Sequence, residues 1–259
     1  LTAHRKTDAP VRDVVSMDSV TLIQRDSAST QVEFNGDPDS VTTHQSTQVS
    51  DEFGSRSASM VFPGDNTAYA LDKYGNRTRE LDSITARATE YETKKSMPAE
   101  LPPRSAYTYC TELSVDGAKR VDFEEPVINY VDNFLGFEVG EAVPVGSYNR
   151  DKGEWVPEKN GVVVKLLDSN GNGTVDSLDA DGDGEPDDLN VSGSTRDEVA
   201  GLSGSSYQPG ETYWRFQAKH FTPWDCNWPY GPPENATKPN PEGWPTIHDK
   251  KEKDEDCET

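Results

Sequence analysis

Hydrophobic and polar residues alternate along most of this chain in short runs with a period of two, the spacing that sends successive side chains to opposite faces of a strand. Seven such runs stand out: Ser57 to Phe62, Asn66 to Leu71, Ser83 to Tyr91, Ser105 to Ser114, Pro126 to Val131, Gly161 to Leu167 and Thr212 to Phe221. Gly, Pro, Asn or Asp bounds each of them, and these residues favour turns. Apolar residues at helical spacing are almost absent, so the pattern predicts an all-β fold, an antiparallel β-sandwich. One short helix is expected where Thr195 and Glu198 form a capping-box pair ahead of Val199, Ala200 and Leu202.

The same pattern divides the chain. Residues 1–50 read as a flexible lead-in with one or two strands, the clearest alternation running from Val14 to Ile23. The sandwich is expected over 51–167, an acidic insertion over 168–190, and the short helix, final strand and a Trp/Pro plug over 191–231. Residues 232–259 are Pro-rich and then charge-mixed, a linker with polyproline II character leading to a region further downstream.

Composition narrows the partners. Hydrophobic residues make up only 32% of the 259, so a sizeable share of the chain must be loop rather than core. Forty-seven acids against 25 bases give a net charge of −22, which argues against nucleic acid and anionic membrane surfaces, both of which need clustered Lys and Arg. No apolar run approaches the roughly 20 residues that span a bilayer, and the opening "LTAHRKTDAP" lacks the apolar centre of a signal peptide. Cys110, Cys226 and Cys257 leave open a Cys110–Cys226 bridge or free buried thiols.

The acids are concentrated. Asp168 to Asp188 holds eight of them and no base. Within it, "DSNGNGTVDSLD" sets oxygens at Asp168, Asn170, Asn172, Asp176 and Asp179, with Gly173 sixth and Thr174 seventh. "DADGDGEPDD" repeats the pattern at Asp179, Asp181, Asp183 and Asp187, with Gly184 sixth and Glu185 seventh. Alternate inward oxygens around a turn-forming Gly make a Ca²⁺ loop, and Asp179 would be shared by the two. The twelfth positions, Asp179 and Asn190, lack the usual Glu, which predicts modest affinity. The tandem is similar to the helix-free calcium loops of thrombospondin type 3 repeats.

Near the C-terminus, strand alternation puts Trp214, Phe216, Ala218 and His220 on the core face and Tyr213, Arg215, Gln217 and Lys219 on the other. Phe221, Trp224, Trp228 and Tyr230 follow, their backbone stiffened by Pro223, Pro229, Pro232 and Pro233. Rigid backbone carrying large rings makes a plug for a sheet end or a neighbouring domain. His220 and Cys226 lack the further ligands of a zinc site and the orienting group of a nucleophile pair. No acid sits in an evident apolar setting for acid catalysis, so the residues predict no conventional enzyme.

Taken in order, the strings from Ser96 to Leu166 ("SMPAELPPRSAYTYCTELSVDG…GVVVKL") and "TYWRFQAKHFTPWDCNWPYGPP" resemble the region that precedes the repeat shell of large bacterial RHS/YD-repeat proteins, relatives of Tc toxin cocoon subunits and teneurins. The likeness covers roughly residues 57–233. It implies a non-catalytic module that plugs or caps a hollow β shell enclosing a C-terminal toxin. The partner would be the RHS/YD shell of the same parent polypeptide, and the location would be secreted or cell-surface as part of a larger bacterial protein. "FEEPVINYV", "GSYNRDKGEW" and "HFT" resemble ZU5-type domains more weakly, implying an Ig/ZU5-like sandwich. Some ZU5 proteins cut themselves at HF(S/T), which by carry-over would make Thr222 the nucleophile, His220 the base and Phe221–Thr222 the cleaved bond. Pro223 after the nucleophile departs from expectation there. A third reading is a secreted calcium-dependent adhesion or glycan-binding module using Trp224 and Trp228.

Overall fold

The computed structural model describes residues 14–16, 21–101, 105–189, 198–202 and 206–228. Its first strands are β1 (Thr30–Glu33), β2 (Val41–Gln45), β3 (Val49–Asp51), β4 (Gly54–Arg56), β5 (Ala58–Pro63) and β6 (Ala68–Leu71). Next come β7 (Arg77–Leu81), β8 (Ser83–Glu90), β9 (Cys110–Val115), β10 (Val121–Asp132), β11 (Ala142–Val143) and β12 (Gly146–Asn149). The last are β13 (Glu154–Pro157), β14 (Gly161–Leu167), β15 (Ser177–Asp179), β16 (Thr212–His220) and β17 (Pro223–Asp225). One 3₁₀ turn, Glu198–Leu202, is the only helical element among the described residues.

The strands form an antiparallel sandwich. A six-stranded sheet runs β1-β8-β9-β17-β12-β13, and a nine-stranded one runs β11-β14-β16-β10-β5-β2 with β15, β6 and β7 attached. Period-two alternation explains how the layers meet. From the nine-stranded sheet, Met60, Phe62, Phe123, Val163, Trp214 and Phe216 point to the shared interior, where Val32, Ala86, Leu113 and Trp224 of the other sheet meet them. Across that boundary Phe216 stacks on Trp224 with ring centroids 5.9 Å apart.

Alternate residues of the nine-stranded sheet build a second cluster on its outer face: Val61, Ile128, Tyr130, Val164, Leu166 and Tyr213. Val175, Leu178, Val199, Leu202 and Tyr207, from the segments after β14, cover them. Burial on both faces is why three valines in succession, Val162 to Val164, are tolerated in β14. Gly201 lets the 3₁₀ turn lie flat on the sheet, since a Cβ there would come within 2.6 Å of Val61 Cγ1.

All seven alternating runs contain a strand, but several expectations are corrected. The strands of the lead-in begin at Thr30, whereas Val14–Ser16 and Thr21–Ile23 are not in strands and 17–20 lie outside the described residues. The limits 51–167 are too narrow for the sandwich, because β1, β2, β16 and β17 are integral strands of its two sheets. The expected helix is one 3₁₀ turn, and Thr195 lies outside the described residues. Tyr213 and Arg215, placed on the face away from the core, are buried there too, Tyr213 within the second cluster.

Cys110 and Cys226 are both free and buried. Cys110 pairs across the strands with Asp225, so Cys226 is one residue out of register and faces the interior, whereas Cys110 belongs to the cluster with Tyr91 and Met97 on the other side of the sheet. A one-residue offset in a strand reverses the side-chain direction, which excludes the bridge. Cys257, Tyr230 and the 232–259 linker lie outside the described residues.

Candidate metal centre

The acidic region is woven into the sandwich rather than appended to it. Residues 168–176 are the turn joining β14 to β15, and β15 pairs with β14 through Leu166↔Leu178. The second loop follows β15 directly. The two loops, offset by eleven residues, have closely similar internal hydrogen bonds. Asp168 accepts the N–H groups of Asn172 at 3.0 Å and Gly173 at 2.7 Å. Asp179 accepts those of Gly182 at 2.7 Å and Gly184 at 3.1 Å. At the ninth positions, Asp176 accepts from Ser169 N–H at 2.8 Å and Asp187 from Ala180 N–H at 2.7 Å. The Asp176 and Asp187 amides close each loop on Leu167 O and Leu178 O. The Ser169 N–H is the main cause holding the Asp176 carboxyl below its ordinary range.

Each loop turns twice through glycine. Gly171, Gly173, Gly182 and Gly184 all have φ between 73° and 85°, a region that a Cβ disfavours. The chain thereby curls its first, third and ninth side chains toward one centre. In the second loop these are Asp179, Asp181 and Asp187, whose carboxylate oxygens lie within 4.8 Å of one another and could hold a metal ion. Asp179 is 2% exposed, held in β15 between Leu178 and the loop. The first loop has Asp168, Asn170 and Asp176 in these places, so one carboxylate is replaced by an amide.

The structure refines the ligand set read from sequence. Both Asp179 oxygens accept amides of the second loop, the part Asp168 has in the first. Asp183 caps Glu185 N–H at 2.8 Å and is not among the three converging acids. Thr174 donates its hydroxyl to Asn172 Oδ1 at 2.5 Å. The second loop also packs on the turn before β11: a Cβ at Gly140 would stand 3.1 Å from Asp181 O.

The HFT tripeptide lies where the chain leaves the nine-stranded sheet at the end of β16 and enters the six-stranded one at β17. Phe221 drops into the interior, 4.7 Å from the Phe123 ring centroid. Thr222 is 4% exposed and donates its hydroxyl to Tyr148 O at 2.7 Å. His220 packs its ring on Trp224, and burial lowers its pKa against the opposing pull of Glu158 and Asp122. No hydrogen bond joins His220 to Thr222 among the described residues.

The aromatic plug fills this chain's own sandwich. Trp224 is 2% exposed with its indole N–H on His220 O at 3.1 Å, and Trp228 stacks on Phe137 at 4.4 Å. Of the expected placements, a sheet end or a neighbouring domain for the plug and a sugar for Trp224, the rings of Trp224 and Phe221 take the interior of this chain's own sandwich.

Sequence reasoning did not find three buried ion pairs. Arg56, 2% exposed at its side chain, holds Glu90 at 2.5 Å and Asp51 at 2.8 Å and lies over the Phe134 ring. Arg150 holds the buried Glu112, which also accepts the Tyr91 hydroxyl at 2.7 Å. Arg215 holds Glu198 at 2.6 Å, and Glu198 accepts the Tyr130 hydroxyl. Burial pushes Glu90 and Glu112 upward, with the paired arginines opposing it. An Arg set between two large aromatic residues, as Arg215 is between Trp214 and Phe216, was the available signal.

Comparison with family models, curated proteins and solved structures finds no match to this chain.

Proposed function

We propose that this chain is a non-catalytic, calcium-stiffened β-sandwich that acts as a structural and interaction module of a larger polypeptide. The observation that carries the reading is the convergence of Asp179, Asp181 and Asp187 in a loop anchored between β15 and the Val139–Gly140 turn. Two oxygens bound to one Ca²⁺ at 2.3–2.6 Å stand at most about 5 Å apart, and the carboxylate oxygens of Asp179, Asp181 and Asp187 fall within that limit. Bound there, calcium would neutralise the acids and pin the loop to the outer cover of the nine-stranded sheet. Asp183 and Glu185 face solvent, and water would complete the coordination.

The resemblance to the region ahead of RHS/YD shells supplies the context: a cap or plug for a β shell of the same parent polypeptide, secreted or displayed at a bacterial surface. In support of a non-catalytic role, Thr222 is tied to Tyr148 O and Trp224 is enclosed. Calcium titration followed by calorimetry and melting tests the metal. Binding in the micromolar-to-millimolar range and a higher Tm with Ca²⁺ are expected, both lost in Asp179→Asn. An unchanged Tm at about 10 mM Ca²⁺ would remove the metal from the account. Co-purification of the chain with the polypeptide encoded downstream of it in the parent gene tests the module role, and failure of the two to associate would refute it.

A further inference from the structure

Four Asn–Gly pairs occur in the chain: Asn35–Gly36, Asn160–Gly161, Asn170–Gly171 and Asn172–Gly173. All four asparagines are exposed. Such a pair is chemically labile, because the glycine amide nitrogen can close a five-membered ring on the asparagine side chain with no Cβ in the way. Ring closure consumes the glycine N–H, so a hydrogen bond or strand pairing at that nitrogen must first be given up. Three of the four glycines are held in this way. Gly36 N–H donates to Gly64 O at 2.9 Å, Gly173 N–H donates to Asp168 Oδ2 at 2.7 Å, and Gly161 is paired with Val143 in the β11–β14 ladder. Gly171 differs: its N–H has no hydrogen-bond partner among the described residues. Its φ is 73°, and nothing lies within 4 Å of the place where a Cβ would stand, so the nitrogen is open to attack its neighbour.

The Asn170 side chain is set for the same reaction. Its Oδ1 accepts the Asn172 N–H at 3.1 Å, a donor that draws electrons from Cγ and stabilises the oxyanion formed on attack. Its Nδ2 donates to Asp176 Oδ2, and the two bonds together hold the amide plane in one orientation.

We infer that Asn170 is a site of self-modification. The Gly171 nitrogen attacks Asn170 Cγ; the N–Cγ bond forms, the Cγ–Nδ2 bond breaks, and ammonia leaves with the proton that the amide gives up. Water then opens the succinimide, at Cγ to give aspartate or at the main-chain carbonyl to give isoaspartate. One water is consumed and one ammonia released, with no oxidant or cofactor. The aspartate product supplies the first loop with the acid that Asp181 supplies in the second, alongside Asp168 and Asp176. Its consequence, tighter calcium binding at that loop, rests on the calcium reading of the site.

Ageing of the full chain in EDTA at mildly alkaline pH, followed by peptide mapping with tandem mass spectrometry, tests the modification. Exchange of the side-chain NH₂ for OH should accumulate at Asn170 about fivefold faster than at Asn35, Asn160 or Asn172 in the native chain, and at comparable rates at all four in urea. Asn170→Gln, which would have to close a larger ring, should abolish the change at that position. Equal native rates at all four sites, a faster reaction at Asn172, or an Asn170 that reacts in urea but not in the native chain would overturn the site. Asn170→Asp should bind calcium about tenfold more tightly at the first loop than the wild type does. Failure of both proteins to bind calcium would remove the calcium consequence, while the mass change at Asn170 alone decides the modification.

Discussion

Replacing Asp225 with Asn should change how the stability of this protein depends on pH. Asp225 is 7% exposed, and its carboxylate is held by neutral donors, Asn227 Nδ2 at 2.7 Å and the Gly146 N–H. With no cation to favour the charged form, burial pushes its pKa from 3.8 to about 6. Between those values the native state keeps a proton that the unfolded chain has released. The associated stability is therefore fully present below pH 3.8 and lost as pH rises through 6, a swing of about 3 kcal/mol.

His44 carries the opposite sign. It is 0% exposed, its Nε2 accepts the Ala88 N–H at 3.2 Å, and its Nδ1 therefore bears the proton shared with Thr30 Oγ1. Burial lowers its pKa from 6.5 to about 4, with Arg87 helping and Asp26 opposing. Its contribution is full above 6.5 and is lost as pH falls toward 4, again about 3 kcal/mol. Between pH 4 and 6 the two slopes nearly cancel in the wild type.

Asp225→Asn removes one slope and leaves the other. Relative to wild type, the variant should gain about 3 kcal/mol on going from about pH 4 to about pH 7, whatever constant cost its altered hydrogen bonds impose. His44→Gln should show the mirror image, gaining relative to wild type as pH falls. Urea unfolding followed by tryptophan fluorescence at pH steps between these limits measures both. Wild-type and variant curves that stay parallel across the window would refute the assignment of the two slopes.

Further outcomes follow from other buried groups. Glu198→Ala leaves Arg215 buried without its carboxylate and should cost about 3–5 kcal/mol in the same assay, while Glu198→Gln costs less. Phe216→Ala opens a cavity beside Trp224 and should cost about 3–5 kcal/mol. Gly140→Ala meets both a φ of 89° and the Asp181 carbonyl 3.1 Å away, so stability should fall by at least about 1 kcal/mol and calcium binding should weaken. Denaturation should add the two thiols of Cys110 and Cys226 to the DTNB count of a Cys257→Ser variant that scarcely reacts in the native state, where burial raises both pKa values. A native disulfide would contradict the register of β9 and β17.

The class of fold was legible in the sequence because strand alternation is local: each side chain's direction follows from its neighbour two residues away. The loops were legible for a similar reason, since Asp, Asn and Gly at fixed offsets dictate their own turns through side-chain bonds to nearby amides. What no local pattern could reveal was which strand faces which. Period two puts Tyr213 and Arg215 on the face away from the core, but only the 3₁₀ turn of residues 198–202 lying over that face buries them. The Trp and Pro segment looks like a docking plug until β17 inserts between β9 and β12 and turns Trp224 inward. Period-two spacing therefore determined the strands, the turns and the shape of the acidic loops. Only the tertiary structure decided the pairing order and the placement of both cysteines, because each depends on residues brought together from across the chain.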